Sequence, residues 1–209
     1  QEYLEWYSTN DGTHHVYDPS KPTIGMWFHR DDIANGQMGV VDALISDLEG
    51  KDCNVIVGFD TFDDIVKYYC DENNQSLVQC VISLKSFRLN YYDNEKGERE
   101  LRQLNVPVLR GIVVDVPQTP DPADANRGIP NAQVVRMTLG PNLDGIFEYV
   151  VIGKNVYDST NGTSEAVPMD SQVDWIGNRS INWAKLKLMN NSEKKVAVIE
   201  LDPRDTPHA

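Results

Sequence analysis

Four consecutive residues, His29-Arg30-Asp31-Asp32, gather an imidazole, a guanidinium and two carboxylates in one short stretch. An imidazole beside carboxylates can ligate a divalent ion or pass a proton, so His29, Asp31 and Asp32 are candidate metal ligands. The same residues have a plainer use. Asp at the start of a helix-bearing loop accepts bonds from free backbone N–H groups, and Arg30 can pair with these Asp side chains. His14-His15, near Asp11 and Asp18, reads as surface, because adjacent His on an extended segment rarely ligate one ion together. Gly36 and Gly39 do not make a phosphate loop, since no glycine-rich fingerprint surrounds them and no Lys-Ser/Thr pair follows. Cys53, Cys70 and Cys80 lack metal-ligand spacing, and their odd number favours small core thiols over disulfides.

The elements that must position the 29–32 cluster are legible from Pro22 to Asp60. Thr23 to Phe28 is a short apolar run between Pro22 and the charged cluster, which suits a strand buried on both faces. From Met38 onward, Val40, Val41, Leu44, Ile45 and Leu48 fall at helical spacing, opposite Asp42, Ser46, Asp47 and Glu49. Gly50 closes that helix, and Asn54 to Phe59 begins the next strand. Open α/β sheets bind ligands beyond the carboxyl ends of their strands, which is where this βαβ unit puts residues 29–32.

The alternation continues. A short helix is predicted over 62–69, a strand over 77–84, an exposed polar helix over 93–104 and a strand over 106–114. Residues 116–130, rich in proline, read as a loop. A helix follows at 131–139, a strand at 147–152, a turn-rich excursion at 154–170, a long helix at 171–189 and a last strand at 195–201. Trp175 and Trp183 lie on that long helix and are expected to pack on the sheet. The fold class is therefore α/β: a parallel open sheet with helices on both faces, Rossmann-like or flavodoxin-like. Residues 1–20, with Tyr3, Trp6 and Tyr7, read as an N-terminal arm packing its aromatics on a neighbour, 21–201 as the α/β domain and 202–209 as a tail.

Composition excludes some partners. A net charge of −13 over 209 residues argues against a nucleic-acid backbone or an anionic membrane, and no apolar stretch approaches the length of a membrane span. Sequons at Asn74, Asn161, Asn178 and Asn190 would permit glycosylation on export. Beginning at Gln1 with no signal peptide, the chain reads as processed or excised from something longer.

The order of motifs resembles the large subunit of cobaltochelatase and the related H subunit of magnesium chelatase. The resemblance rests on Lys21-Pro22-Thr23-Ile24-Gly25, Arg30, Gly36, and the helix from Val41 to Glu49. It continues through Asn54 to Val57, Val81 to Leu84, Leu104 to Val108, Leu143-Asp144-Gly145 and Ile152-Gly153. It ends with Ile181 to Lys187 and Ser192 to Ile199. It covers about Ser20 to Glu200, and the family's proteins are several times longer.

The resemblance implies a tetrapyrrole-handling protein of the cytoplasm. The large subunit binds the macrocycle and the substrate ion, cobalt or magnesium, while partner subunits supply ATP hydrolysis. Arg30 would then meet a propionate-type side chain or pair with the neighbouring Asp residues. Two departures touch polar positions: the family usually has Arg-Ser-His where this chain has Arg30-Asp31-Asp32, and commonly Glu where this chain has Asn142. Two function classes follow. One is a segment of a chelatase large subunit that contributes to macrocycle binding. The other is a non-catalytic relative acting in structure or assembly; the breadth of the resemblance favours the first, and the departures, the sequons and the small size favour the second.

Overall fold

The computed structural model describes residues 2–60, 64–90, 92–115, 129, 131–160 and 162–198. Helix α1 (Glu2–Tyr7) precedes β1 (Thr23–His29), α2 (Arg30–Ala34), α3 (Gly39–Gly50) and β2 (Asn54–Asp60). Then come α4 (Ile65–Tyr69), β3 (Cys80–Ser83), α5 (Asn94–Leu104) and β4 (Val108–Asp115). Helix α6 (Asn131–Val134) runs into a π turn (Val135–Leu139) and α7 (Gly140–Leu143). Strands β5 (Phe147–Asp158) and β6 (Thr163–Pro168) and helix α8 (Asp170–Leu188) complete the fold.

The strands lie in the order β2-β1-β3-β4-β5-β6. The first five are parallel, and β6 runs antiparallel along β5. The order 2-1-3-4-5 is that of the flavodoxin-like doubly wound sheet, whose topological switch falls between β1 and β3. Alternate residues of β1 feed two cores, which explains its unbroken apolar run. Ile24, Met26 and Phe28 pack with Val41, Leu44 and Leu48 of α3 and Val173 and Ile176 of α8. Trp27 faces the other way, among Ile65 and Tyr69 of α4 and Leu104 of α5.

The expectation of four parallel strands within 22–114, covered on both faces, holds. The arm's aromatics also find a neighbour: β2 is a sheet edge, and Val55 would present unpaired backbone groups there. The Tyr3 hydroxyl donates to the Val55 carbonyl (2.9 Å), and the Tyr7 hydroxyl accepts from the Val55 N–H (3.0 Å) while donating to Glu49 (2.9 Å). Trp183 packs edge-on against Phe147 with centroids 5.6 Å apart. Trp175, in contrast, stays 49% exposed.

Several expectations need correction. The segment 154–170 is not an excursion: β5 continues to Asp158 and turns back as β6, so the sheet is mixed rather than strictly parallel. Residues 154–158 of β5 are mostly exposed, so they lack the apolar alternation that marks a half-buried strand. The predicted strand at 195–201 is not a strand over its described part, 195–198, where Val196 and Val198 are each 86% exposed. The third strand is shorter than 77–84, and the helix at 131–139 opens into the π turn. His14 is not a free surface group, since its ring stacks on Trp6 at 4.1 Å. The predicted loop at 116–130 lies outside the described residues except Ile129.

Candidate functional site

His29 ends β1, and the chain enters α2 without a linker. His29 is the N-cap: its Nδ1 accepts the Asp31 N–H (3.2 Å), and Asp32 Oδ2 accepts the His29 N–H (3.2 Å). This reciprocal arrangement satisfies N–H groups that a helix start leaves free. Arg30 and Asp31 are exposed, and the Asp31 carboxylate stands 3.4 Å from His29 Nδ1. Asp32 is half-buried, and burial raises its carboxyl above the ordinary range against the opposing His29 N–H bond. Among the described residues, no three His, Cys, Asp or Glu side chains converge as a metal-binding group.

Asp32 faces a cleft of about 140 Å³ over the carboxyl ends of the strands. Val40 and Val41 of α3, Leu84, Val113 of β4 and Ala166 of β6 supply its apolar wall. Gly39, at the start of α3, lets the helix approach β6: a Cβ there would lie 2.5 Å from the Ala166 carbonyl.

The polar wall centres on Arg110 of β4, which is 1% exposed. Its guanidinium donates to the Ser83 carbonyl (3.0 Å), the Met137 carbonyl (3.3 Å) and, at 3.5 Å, the Ser86 hydroxyl. The π turn makes this geometry available. A π turn shifts the helical bonding register, and three successive carbonyls bond outside it: Arg136 to the Phe87 N–H (2.6 Å), Met137 to Arg110, and Thr138 to the Tyr149 hydroxyl (2.9 Å). Burial pulls the Arg110 guanidinium down to about 9, so it stays charged at neutral pH. At the rim, Asp115 accepts from Arg136 (2.7 Å) and from the Asn155 amide (2.7 Å). Among the described residues, no group bonds to the buried Asn155 Oδ1.

Asn142 lies elsewhere. It is exposed on α7, beside a second groove with Val106, Val108 and Asp144, at the amino end of β4. The structure brings Asp32 to the cleft with Arg110 and does not bring Asn142 near it. The neighbouring Asp144-Gly145 is architectural. Asp144 binds Arg88 Nη2 (2.6 Å) and the Leu89 N–H (2.6 Å), and Gly145 sits at φ 91°, where a side chain would be strained.

Arg110, Ser86, Arg136, Asp115 and Asn155 escaped the sequence reading. Arg110 alone had a usable signal: a charge inside the apolar strand Val108–Asp115 is a buried polar group in need of an explanation.

The sequence model of the CobN/magnesium chelatase family matches residues 1–204. The chain belongs to that family. It is 31% identical over 208 residues to the chloroplastic magnesium-chelatase subunit ChlH of Oryza sativa subsp. indica, a match taking in 95% of this chain and 15% of that protein. An uncharacterized protein of Methanocaldococcus jannaschii, MJ1441, is 22% identical over 196 residues, 86% of this chain and 16% of its own length. Among solved structures, the catalytic subunit of cobaltochelatase from Mycobacterium tuberculosis superimposes with a TM-score of 0.67 at 17% identity, over 83% of this chain and 15% of that one. That likeness concerns the fold. This member of the chelatase family thus spans about 15% of the length of such relatives, and none of its described helices is long and apolar enough to cross a membrane.

Proposed function

We propose that the chain is a domain-sized segment of a tetrapyrrole metal-chelatase large subunit. In this reading its strand-end cleft contributes to macrocycle binding while ATP-hydrolysing partner subunits drive insertion of cobalt or magnesium. The observation that carries the reading is the family match across residues 1–204. The cleft supports it by gathering polar groups where open α/β sheets bind ligands. Insertion requires two pyrrole protons to leave as the substrate ion arrives, and the Asp32 carboxyl, which burial raises, is the cleft's candidate to accept one. At about 140 Å³ the cleft is smaller than ordinary ligand pockets of ~300–1,000 Å³, so other segments or subunits supply the remaining walls.

A second reading, a non-catalytic relative serving structure or assembly, draws on the α2 cap, which already engages His29 Nδ1 and Asp32 Oδ2.

The test is a titration of the chain with a porphyrin and with cobalt or magnesium, beside an insertion assay run with and without ATPase partners. The first reading expects macrocycle binding weakened by His29→Ala with Asp32→Ala, and no insertion by the chain alone. Absence of binding at millimolar ligand, with no turnover in the assembly either, leaves the second reading.

A further inference from the structure

Arg110 is a buried cation whose protein partners are all neutral: the Ser83 and Met137 carbonyls and the Ser86 hydroxyl. Among the described residues no carboxylate forms an ion pair with it. Burying a charge without a hydrogen-bonded counter-charge costs several kcal/mol, and Arg110 feels the Asp32 carboxyl only through space in the cleft that both line. Its nearest cationic neighbour there, Arg136, is already neutralised by Asp115 at 2.7 Å. We propose that the cleft receives one carboxylate group, bound by the Arg110 guanidinium and the Ser86 hydroxyl and lying against Asp32.

Size and charge both select this chemistry. About 140 Å³ holds roughly four or five water-sized groups, which fits a short carboxylic acid or one carboxylate arm of a larger molecule. A phosphate dianion would face both Asp32 and Asp115, and like charges in such a space repel. A carboxylate needs less. Burial raises the Asp32 carboxyl, which favours its protonated form, and in that form it donates to the incoming oxygen instead of repelling it. The buried Asn155 Oδ1 supplies an acceptor on the far wall for a hydroxyl or amide group of the ligand. The carboxylate has two available sources, a free short-chain acid or a side arm of the macrocycle, and only the second rests on the tetrapyrrole reading.

The experiment uses the full 209-residue chain, ¹⁵N-labelled, titrated with propionate and separately with inorganic phosphate. A porphyrin dicarboxylic acid is then compared with its dimethyl ester. Expected are propionate-induced shifts at the Ser86, Arg110 and Asp32 amides and a smaller response to phosphate. Arg110→Met should weaken propionate binding by about tenfold or more, as for loss of a charged hydrogen bond. If Arg110→Met does not fold, Ser86→Ala carries the test with a loss of about three- to tenfold. A macrocycle arm as the source predicts that the free porphyrin acid binds more tightly than the ester and that Arg110→Met (or Ser86→Ala) narrows the gap. Propionate binding with no acid–ester difference assigns the cleft to a free acid. The proposal is overturned if propionate leaves these amides unmoved and acid and ester bind alike, or if phosphate binds better. Macrocycle binding indifferent to esterification, with no propionate site, would sink this proposal and leave the chelatase reading standing. Propionate binding without macrocycle binding would do the reverse.

Discussion

Arg179 on α8 grips Glu148 on β5 through two parallel bonds, Nε to Oε2 at 2.6 Å and Nη2 to Oε1 at 2.8 Å. The pair closes a β-bulge. Leu109 lies opposite Phe147 and Arg110 opposite Tyr149, so Glu148 bulges out between them at φ 54°. A non-glycine residue in the left-handed region costs about 1–3 kcal/mol. The ion pair and the Trp183 Nε1–H bond to Oε1 (3.0 Å) offset that cost. The bulge sets the register that puts Tyr149 beside Arg110, so a contact on the outside of the sheet supports the buried wall of the cleft.

Arg179→Ala should destabilise the fold by about 1 kcal/mol at neutral pH, discounted because Arg179 is half-exposed. The bond from Arg179 holds the Glu148 carboxyl below its ordinary range. A depressed carboxyl contributes stability above its unfolded value, near 4.3 for Glu, and that contribution fades as pH falls through the folded value. The penalty measured by urea unfolding should therefore shrink at acid pH. An equal penalty at neutral and strongly acid pH would refute the assignment.

The Tyr7 hydroxyl holds the β2 edge. Tyr7→Phe leaves the Val55 N–H and Glu49 without their partner and should cost about 1–3 kcal/mol. Burial raises Tyr3 to about 12 and Tyr7 further still. A group with a raised folded value stabilises fully below its unfolded value, about 10 for Tyr, and loses that contribution as pH rises toward the folded one. The arm should thus detach in the alkaline range above that unfolded value, together with the appearance of tyrosinate absorbance. Arm release with no tyrosinate signal would count against this account.

Gly39→Ala would drive a Cβ to 2.5 Å from the Ala166 carbonyl. The clash is with backbone, so α3 or β6 must move, at about 1–3 kcal/mol. Amide shifts should then spread to Val40, Val41 and Ala166 around the cleft. Gly50→Ala, with nothing within 4 Å, is the control and should stabilise by up to about 1 kcal/mol. Thermal unfolding that ranks the two variants the other way would refute the packing argument.

Arg88→Ala leaves the Asp144 carboxylate, whose side chain is 0% exposed, without its cation. The expected loss is about 3–5 kcal/mol. Asn142→Ala, two residues away and exposed, should stay within about ±0.5 kcal/mol. A mild Arg88→Ala, measured by denaturant unfolding, would refute the account of Arg88–Asp144 as a buried structural pair.

The local period of apolar residues determined the elements. Thr23 to Phe28, the spacing of Val40, Val41, Leu44 and Leu48, and the run from Val108 to Val114 each encode a strand or helix by their neighbours alone, and their alternation encodes a parallel sheet. Capping by Asp32 was likewise readable, because a cap is a contact across three residues, although the N-cap itself is His29. What needed the tertiary structure was everything set by residues distant in sequence. Strand β6 pairs along β5, while Val196 and Val198 stay exposed off the sheet. Arg110, Ser86, Arg136 and Asn155 converge because the strand order and the π turn carry separate segments to the same ends of the sheet. Charges that meet only through folding leave no period in the chain. Of the cleft's polar wall, the sequence could therefore name Asp32 and not that Arg110 comes to line the same cleft.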